Sequence, residues 1–373
     1  MMRLSVFCLI LTFVCKSCAQ NIICYYDSRA ATLPIPLLPS QLEPADCTHY
    51  TYIGVGMTTK GDIRLLNEHF DVNTGFPLFQ NLRSTDRKLL VLLGGVYESS
   101  VTFSTIVGSI PDTLINNLAL FLTRYNFDGI DIDWRYPSSR GGKLTDKVNF
   151  QKFIIRLRAR LNMINKLLVI SVSPIRNVFA AAYDSVTLSL YADMINVYAF
   201  NFTETVETKA THLAPLYSDN SISVNSSISD WISTKIRKNK INIVVATYAR
   251  TYTLYSVTRN SPGSPIRGPG NAGANTQYAG YLAQYEFCAM NAGYSAVTDE
   301  ITKTTYFTKD VSWISSETAD TLVQKYTYGL DHDLGGVAIF TLDWDDATDS
   351  CGAGRFPAVA LARKYFYSNT KNA

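Results

Sequence analysis

The chain has 373 residues, of which 47% are hydrophobic, 12% aromatic and 17% charged. That is enough apolar material for a large core, and it excludes a disordered chain. Lys+Arg 34 against Asp+Glu 31 leaves a net charge of +3, which excludes a polybasic nucleic-acid-binding protein. The four histidines, His49, His69, His212 and His332, are scattered without a metal-ligand spacing. No metal and no other cofactor is expected.

Residues 1–19, MMRLSVFCLILTFVCKSCA, place one basic residue, Arg3, ahead of an apolar run over 4–14. Small Ser17 and Ala19 then stand where a signal peptidase cuts, so the segment is expected to be a signal peptide and the product secreted. The run is too short to span a bilayer, and no later stretch reaches 18 uncharged apolar residues, so no membrane segment is expected. Without Arg3 and Lys16, 32 basic residues face 31 acidic ones, and no electrostatic partner is implied. Cys8, Cys15 and Cys18 leave with the leader, while Cys24, Cys47, Cys288 and Cys351 remain. Four cysteines in an oxidising compartment allow three pairings. Proximity in sequence favours Cys24 with Cys47, which leaves Cys288 with Cys351.

Eight short apolar, β-branched runs follow along the chain, at 22–26, 50–57, 88–93, 127–134, 167–172, 193–202, 241–248 and 336–342. Runs that are apolar on both faces suit buried parallel strands. Amphipathic stretches lie between them, for example 112–125 and 146–161, with apolar positions three and four apart. Eight strand–helix alternations predict an α/β fold, a (β/α)8 TIM barrel spanning 20–373. The last interval breaks the pattern. Residues 252–306 are rich in Gly, Pro, Tyr and Thr and read as a small α+β insertion between strands seven and eight, over the barrel mouth. Two sequons, Asn201-Phe-Thr and Asn225-Ser-Ser, are possible glycan acceptors, and the polar surroundings of Asn225 make it the better one.

The chemistry concentrates in FDGIDIDWRYP at 127–137. Alternate positions on a strand share a face, so Asp131, Asp133 and Arg135 all point to the barrel interior or mouth. This segment resembles the fourth-strand signature of family 18 glycoside hydrolases, the chitinases, whose pattern is D-x-x-D-x-D-x-E. Asp128, Asp131 and Asp133 match it. The resemblance runs along nearly the whole mature chain: CTHYTYIGVGM, LLVLLGG, DMINVYAFNF with APLY, VVATYARTY, GPGNAGANTQYAGYLAQYEFC and LGGVAIFTLDWDD all have counterparts. The family's cysteine pairing agrees with the one favoured above.

The resemblance implies a proton-donating Glu at the end of the signature, and here that position is Arg135. A guanidinium stays protonated and cannot act as general acid. It also sets a positive charge beside a cationic transition state, at a cost of about 4 kcal/mol for like charges ~4 Å apart. The family's Tyr-Asp pair on the sixth strand corresponds to Phe200 and Asn201, which lack the hydroxyl and the negative charge. Family stacking aromatics correspond to Gly54, Val96 and Phe340, while Tyr248 and Arg250 match. Glu98 and Glu204 are alternative acids, each expected to be surface charge in a loop. Asp131 and Asp133 are expected to neutralise Arg135.

VATYARTY, GGVAIFTLDWDD and LEPADCTH are similar to the insect imaginal disc growth factors within this family. That implies a secreted, catalytically inactive, monomeric protein with a growth-factor or signalling role through a cell-surface receptor. The alternatives are a lectin for chitin or chito-oligosaccharides and, third, a residual glycosidase.

Overall fold

The structure is a computed structural model describing residues 20–203, 207–218 and 222–368. The expected leader lies outside the described residues. In chain order the first strands are β1 (Asn21–Asp27), β2 (His49–Met57), a short β3 (Ile63–Leu65), β4 (Lys88–Gly94) and β5 (Gly129–Asp133). Then come β6 (Leu167–Val172), β7 (Met194–Tyr198) and β8 (Ile241–Ala246). A second sheet follows, with β9 (Tyr248–Leu254), β10 (Ile266–Pro269), β11 (Tyr281–Ala283), β12 (Ser295–Asp299), β13 (Thr304–Lys309) and β14 (Ser312–Ser316). The chain returns to the first sheet with β15 (Gly336–Phe340).

Strands β1, β2, β4, β5, β6, β7, β8 and β15 pair in parallel, and β1 pairs with both β2 and β15. The sheet is therefore a closed eight-stranded barrel, the expected (β/α)8 architecture. The period of two along each strand divides two cores. On β1, Ile23 and Tyr25 join the barrel interior while Ile22, Cys24 and Tyr26 join the larger core under the helices. Helices Pro111–Arg124 and Asp146–Asn162 cover that outer face, where the amphipathic spacing places them. No single helix among the described residues is long and apolar enough to cross a membrane.

Two strand expectations overshoot. The run over 193–202 forms strand only to Tyr198, since Asn201 takes a left-handed conformation with φ 49° and turns the chain away. The run over 241–248 divides after Ala246: Thr247 still bonds the end of the neighbouring strand β15, its N donating to Phe340 O at 3.0 Å and its Oγ1 to Thr341 O at 2.6 Å, and the next strand opens at Tyr248. Tyr248 and Arg250 thus belong to β9 of the second sheet, not to the seventh barrel strand. That sheet has the order β10-β9-β14-β13-β12 with β11 on the free part of β9. It runs from Tyr248 to Ser316, wider than the 252–306 read from composition. Two disulfides are present, Cys24–Cys47 and Cys288–Cys351, with Cα atoms 6.1 and 5.2 Å apart. The second ties helix Gln284–Met290 to the loop after β15.

Candidate active site

Asp131 and Asp133 stand two residues apart at the C-terminal end of β5, both fully buried, but their surroundings differ. Asp133 is the partner of Arg135, whose Nε and Nη2 donate to the carboxylate at 3.0 and 2.8 Å. Tyr198 Oη adds a third bond to Asp133 at 2.7 Å. The guanidinium lies over the Tyr198 ring, 4.3 Å from its centroid, and near Phe340 at 5.8 Å. Burial opposes a charge on Arg135, but Asp133 outweighs it and the guanidinium is held more firmly protonated than in water. The expected repulsion of a lone cation therefore overstates the case, because Asp133 cancels much of that charge.

Asp131 does not contribute to that neutralisation. Its Oδ2 accepts from Tyr25 Oη at 2.6 Å, Ser171 Oγ at 3.0 Å and Asn196 Nδ2 at 3.4 Å. The network continues inward, with Asn196 Nδ2 donating to Tyr25 Oη at 2.7 Å and Asn242 Nδ2 to Asn196 Oδ1 at 2.8 Å. Asp131 Oδ1 has no partner among the described residues. Burial pushes its carboxyl up to about 7, against the pull of those donors. Asp131 is thus a buried group of the barrel axis.

Gly54 is more than a missing aromatic. Its φ is +138°, a Cβ there would meet Ser28 Oγ at 2.4 Å, and the β2–β4 register shifts between Ile53 and Val55. The strand has bulged where only glycine fits, so no side chain can be restored without rebuilding it. Val96 is 65% exposed. Phe340 keeps an aromatic floor, packed on Tyr25 at 5.3 Å and Tyr198 at 5.5 Å, with Phe200 at 5.9 Å. Glu98 is not surface charge: its side chain is 6% exposed, pairs with Arg64 at 3.1 Å and accepts from Met57 N at 3.0 Å. Glu204 lies outside the described residues.

Across the mouth the second sheet builds a wall. Arg250 is ion-paired with Glu207, which also accepts from Tyr252 Oη at 2.8 Å. The Arg250 guanidinium lies 4.4 Å from the Tyr281 ring centroid. Tyr248 bridges wall and floor, 5.8 Å from Phe200, 5.5 Å from Tyr281 and 5.4 Å from Trp344. Asn201, Thr203, Glu207, Arg250 and Tyr281 line a cavity of about 370 Å³. A second cavity of about 350 Å³ is lined by Asp27, Arg29, Tyr278, Asp343 and Trp344. Arg29 lies 4.5 Å from the Tyr97 ring centroid.

Glu207, Tyr281, Trp344 and Tyr97 were not singled out from sequence. Trp344 follows the Phe340 position by four residues in LDWDD, which is a usable signal, while Glu207 sits in a loop that offers none. Of the sequons, Asn201 is partly buried and lines the mouth. Asn225 is the second residue of helix Val224–Ser233, with its Oδ1 accepting from Tyr328 Oη at 3.1 Å.

Residues 21–345 match the family described as glycosyl hydrolases family 18. The chain belongs to that family. It is 28% identical to mouse chitotriosidase-1 over 369 residues, covering 93% of this chain and 78% of that protein. The Group IV chitinase of Ostrinia furnacalis, solved with allosamidin, superposes with a TM-score of 0.90 at 26% identity, covering 94% of this chain and 99% of that one. Human YKL-39, described as a pseudo-chitinase with retained chitooligosaccharide binding properties, shares the fold at a TM-score of 0.85 and 24% identity, covering 93% and 99%. The chain also spans about half the length of the oviduct-specific glycoproteins it matches. The family and its barrel are thereby established, whereas a place among the imaginal disc growth factors rests on the sequence resemblance alone.

Proposed function

We propose that this family 18 chain does not hydrolyse glycosides and instead holds a saccharide, of the chito-oligosaccharide class, at the barrel mouth outside the cell. The observation that carries the reading is Arg135 locked on Asp133 by two guanidinium nitrogens where the family motif ends in its acid. A guanidinium has no proton to give at physiological pH. Asp133 is occupied, Asp131 has no contact with solvent, and Phe200 offers no hydroxyl. Hydrolysis by family chemistry has no group left to begin it.

Binding is supported by the surfaces that persist. Phe340, Tyr281 and Trp344 are only partly buried around the mouth, and flat aromatic faces beside polar groups suit sugar rings. YKL-39 offers a precedent for a pseudo-chitinase that still binds chitooligosaccharide. Secretion is supported by the leader-like start and the two disulfides. A growth-factor or receptor-binding role is carried by resemblance alone, and no feature of the described residues favours it over sugar binding. Calorimetric titration with N-acetylchitotetraose, run beside release of a fluorophore from a chito-oligosaccharide, decides among these. Saturable binding without release is the expected result. Turnover reinstates the glycosidase, and absence of both overturns the binding reading in favour of an outer-surface role.

A further inference from the structure

Beside Arg135 lies a smaller cavity of about 110 Å³, lined among others by Arg135, Arg140, Tyr198, Asn201 and Thr203. Its described lining contains two guanidiniums and no carboxylate. Arg135 spends Nε and Nη2 on Asp133, and its Nη1 has no hydrogen-bond partner among the described residues. Arg140 is exposed, lies 5.2 Å from the Tyr136 ring centroid and has no ion-pair partner among the described residues. Setting Asp133 against the two arginines leaves about one positive charge. The volume admits a carboxylate, sulfate or phosphate group but not a whole sugar ring. Asn201 and Thr203 also line the 370 Å³ cavity that Arg250 and Tyr281 share, so the two spaces adjoin.

We propose that Arg135 and Arg140 form an oxyanion site that accepts a negatively charged substituent of a saccharide whose ring lies in the adjoining cavity against Tyr281. The replacement that removes the acid would then also change the ligand class, from neutral amino sugars toward sugars carrying a sulfate, uronate or phosphate. Guanidinium suits such groups because it is weakly hydrated and presents paired donors to paired oxygens. This proposal rests on the reading of the mouth as a saccharide site, and it fails separately from it.

The test is calorimetric titration of the whole secreted chain at low salt, with the Asn201 peptide confirmed unmodified. The probes are N-acetylglucosamine 6-sulfate, glucuronate, inorganic sulfate, N-acetylglucosamine and N-acetylchitotetraose. The charged sugars are expected to bind roughly tenfold more tightly than neutral N-acetylglucosamine, with the advantage fading as NaCl is raised. Arg140→Gln, at an exposed position, should remove most of that advantage while melting like the parent. The pair Arg135→Gln with Asp133→Asn, which leaves no buried charge unmatched, should do the same. Equal affinity for charged and neutral sugars, or an advantage that survives Arg140→Gln, overturns the proposal. Chitotetraose binding in that event leaves the saccharide reading standing. Inorganic sulfate that competes as tightly as the charged sugars supports an oxyanion site but overturns the sugar-borne source.

Discussion

The floor of the mouth and its wall were built under different constraints. The floor is the ends of β5 and β7, where Asp133, Arg135, Tyr198 and Phe200 are packed against each other and the carboxylate is fully buried. The wall comes from the second sheet, where Arg250, Tyr252 and Tyr281 frame an open cavity around Glu207. The floor has turned its ionic groups inward on each other, while the wall and Trp344 still present rings to the cleft. Catalysis requires a free acid in the floor, whereas binding requires only faces and rims. The two functions are therefore separable within one cleft.

The largest effect should come from breaking the floor. Arg135→Ala leaves Asp133 buried without its cation and should cost about 3–5 kcal/mol in urea unfolding, most of it recovered when Asp133→Asn is added. Arg135→Glu sets a second carboxylate against Asp133, so the same assay should show destabilisation at neutral pH, and turnover should stay undetectable. Robust turnover by that single variant would show the floor to be an intact active site. The wall is tested next through its tether. Reducing both disulfides should cost something like 2–4 kcal/mol each, with cleavage of Cys288–Cys351 loosening the wall while the barrel persists. Peptide mapping should find no alkylatable thiol among the four cysteines.

The buried acid under the floor gives a smaller and pH-dependent effect. Asp131 has a folded value raised by burial from 3.8 to about 7. Its protonated form is the one the fold prefers, so its contribution is full below the unfolded value and is lost as pH rises through about 7. Asp131→Asn should therefore gain stability relative to the parent between pH 5 and pH 8, by on the order of 1–3 kcal/mol, read by denaturant unfolding at both values. A constant difference would show that Asp131 is ionised throughout. Trp344→Ala should weaken chitotetraose binding by about tenfold, or about 1.4 kcal/mol, while Val96→Ala, at an exposed position, should change it little. The smallest change concerns the sequons: mass spectrometry should find a glycan on Asn225 and none on Asn201, where one would fill the mouth.

The sequence by itself determined the barrel and the identity of its motif. Eight runs apolar on both faces can be satisfied only by a sheet covered inside and out, and period two on 127–134 commits the acids to one face whatever the rest of the chain does. It also carried Arg135, whose chemistry follows from residue type alone. Tertiary structure alone decided how those groups were spent. That Asp133 and not Asp131 answers Arg135, that Glu98 is buried on Arg64, and that Gly54 sits in a bulge closed to any side chain depend on contacts between strands far apart in the chain. The passage of the chain after Ala246 into β9 likewise depends on strands distant in sequence, since β9 pairs with β10, β11 and β14 while Thr247 still bonds Phe340 and Thr341 at the end of β15. Local periodicity fixes which way a side chain points, but only the closed barrel determines what it meets there.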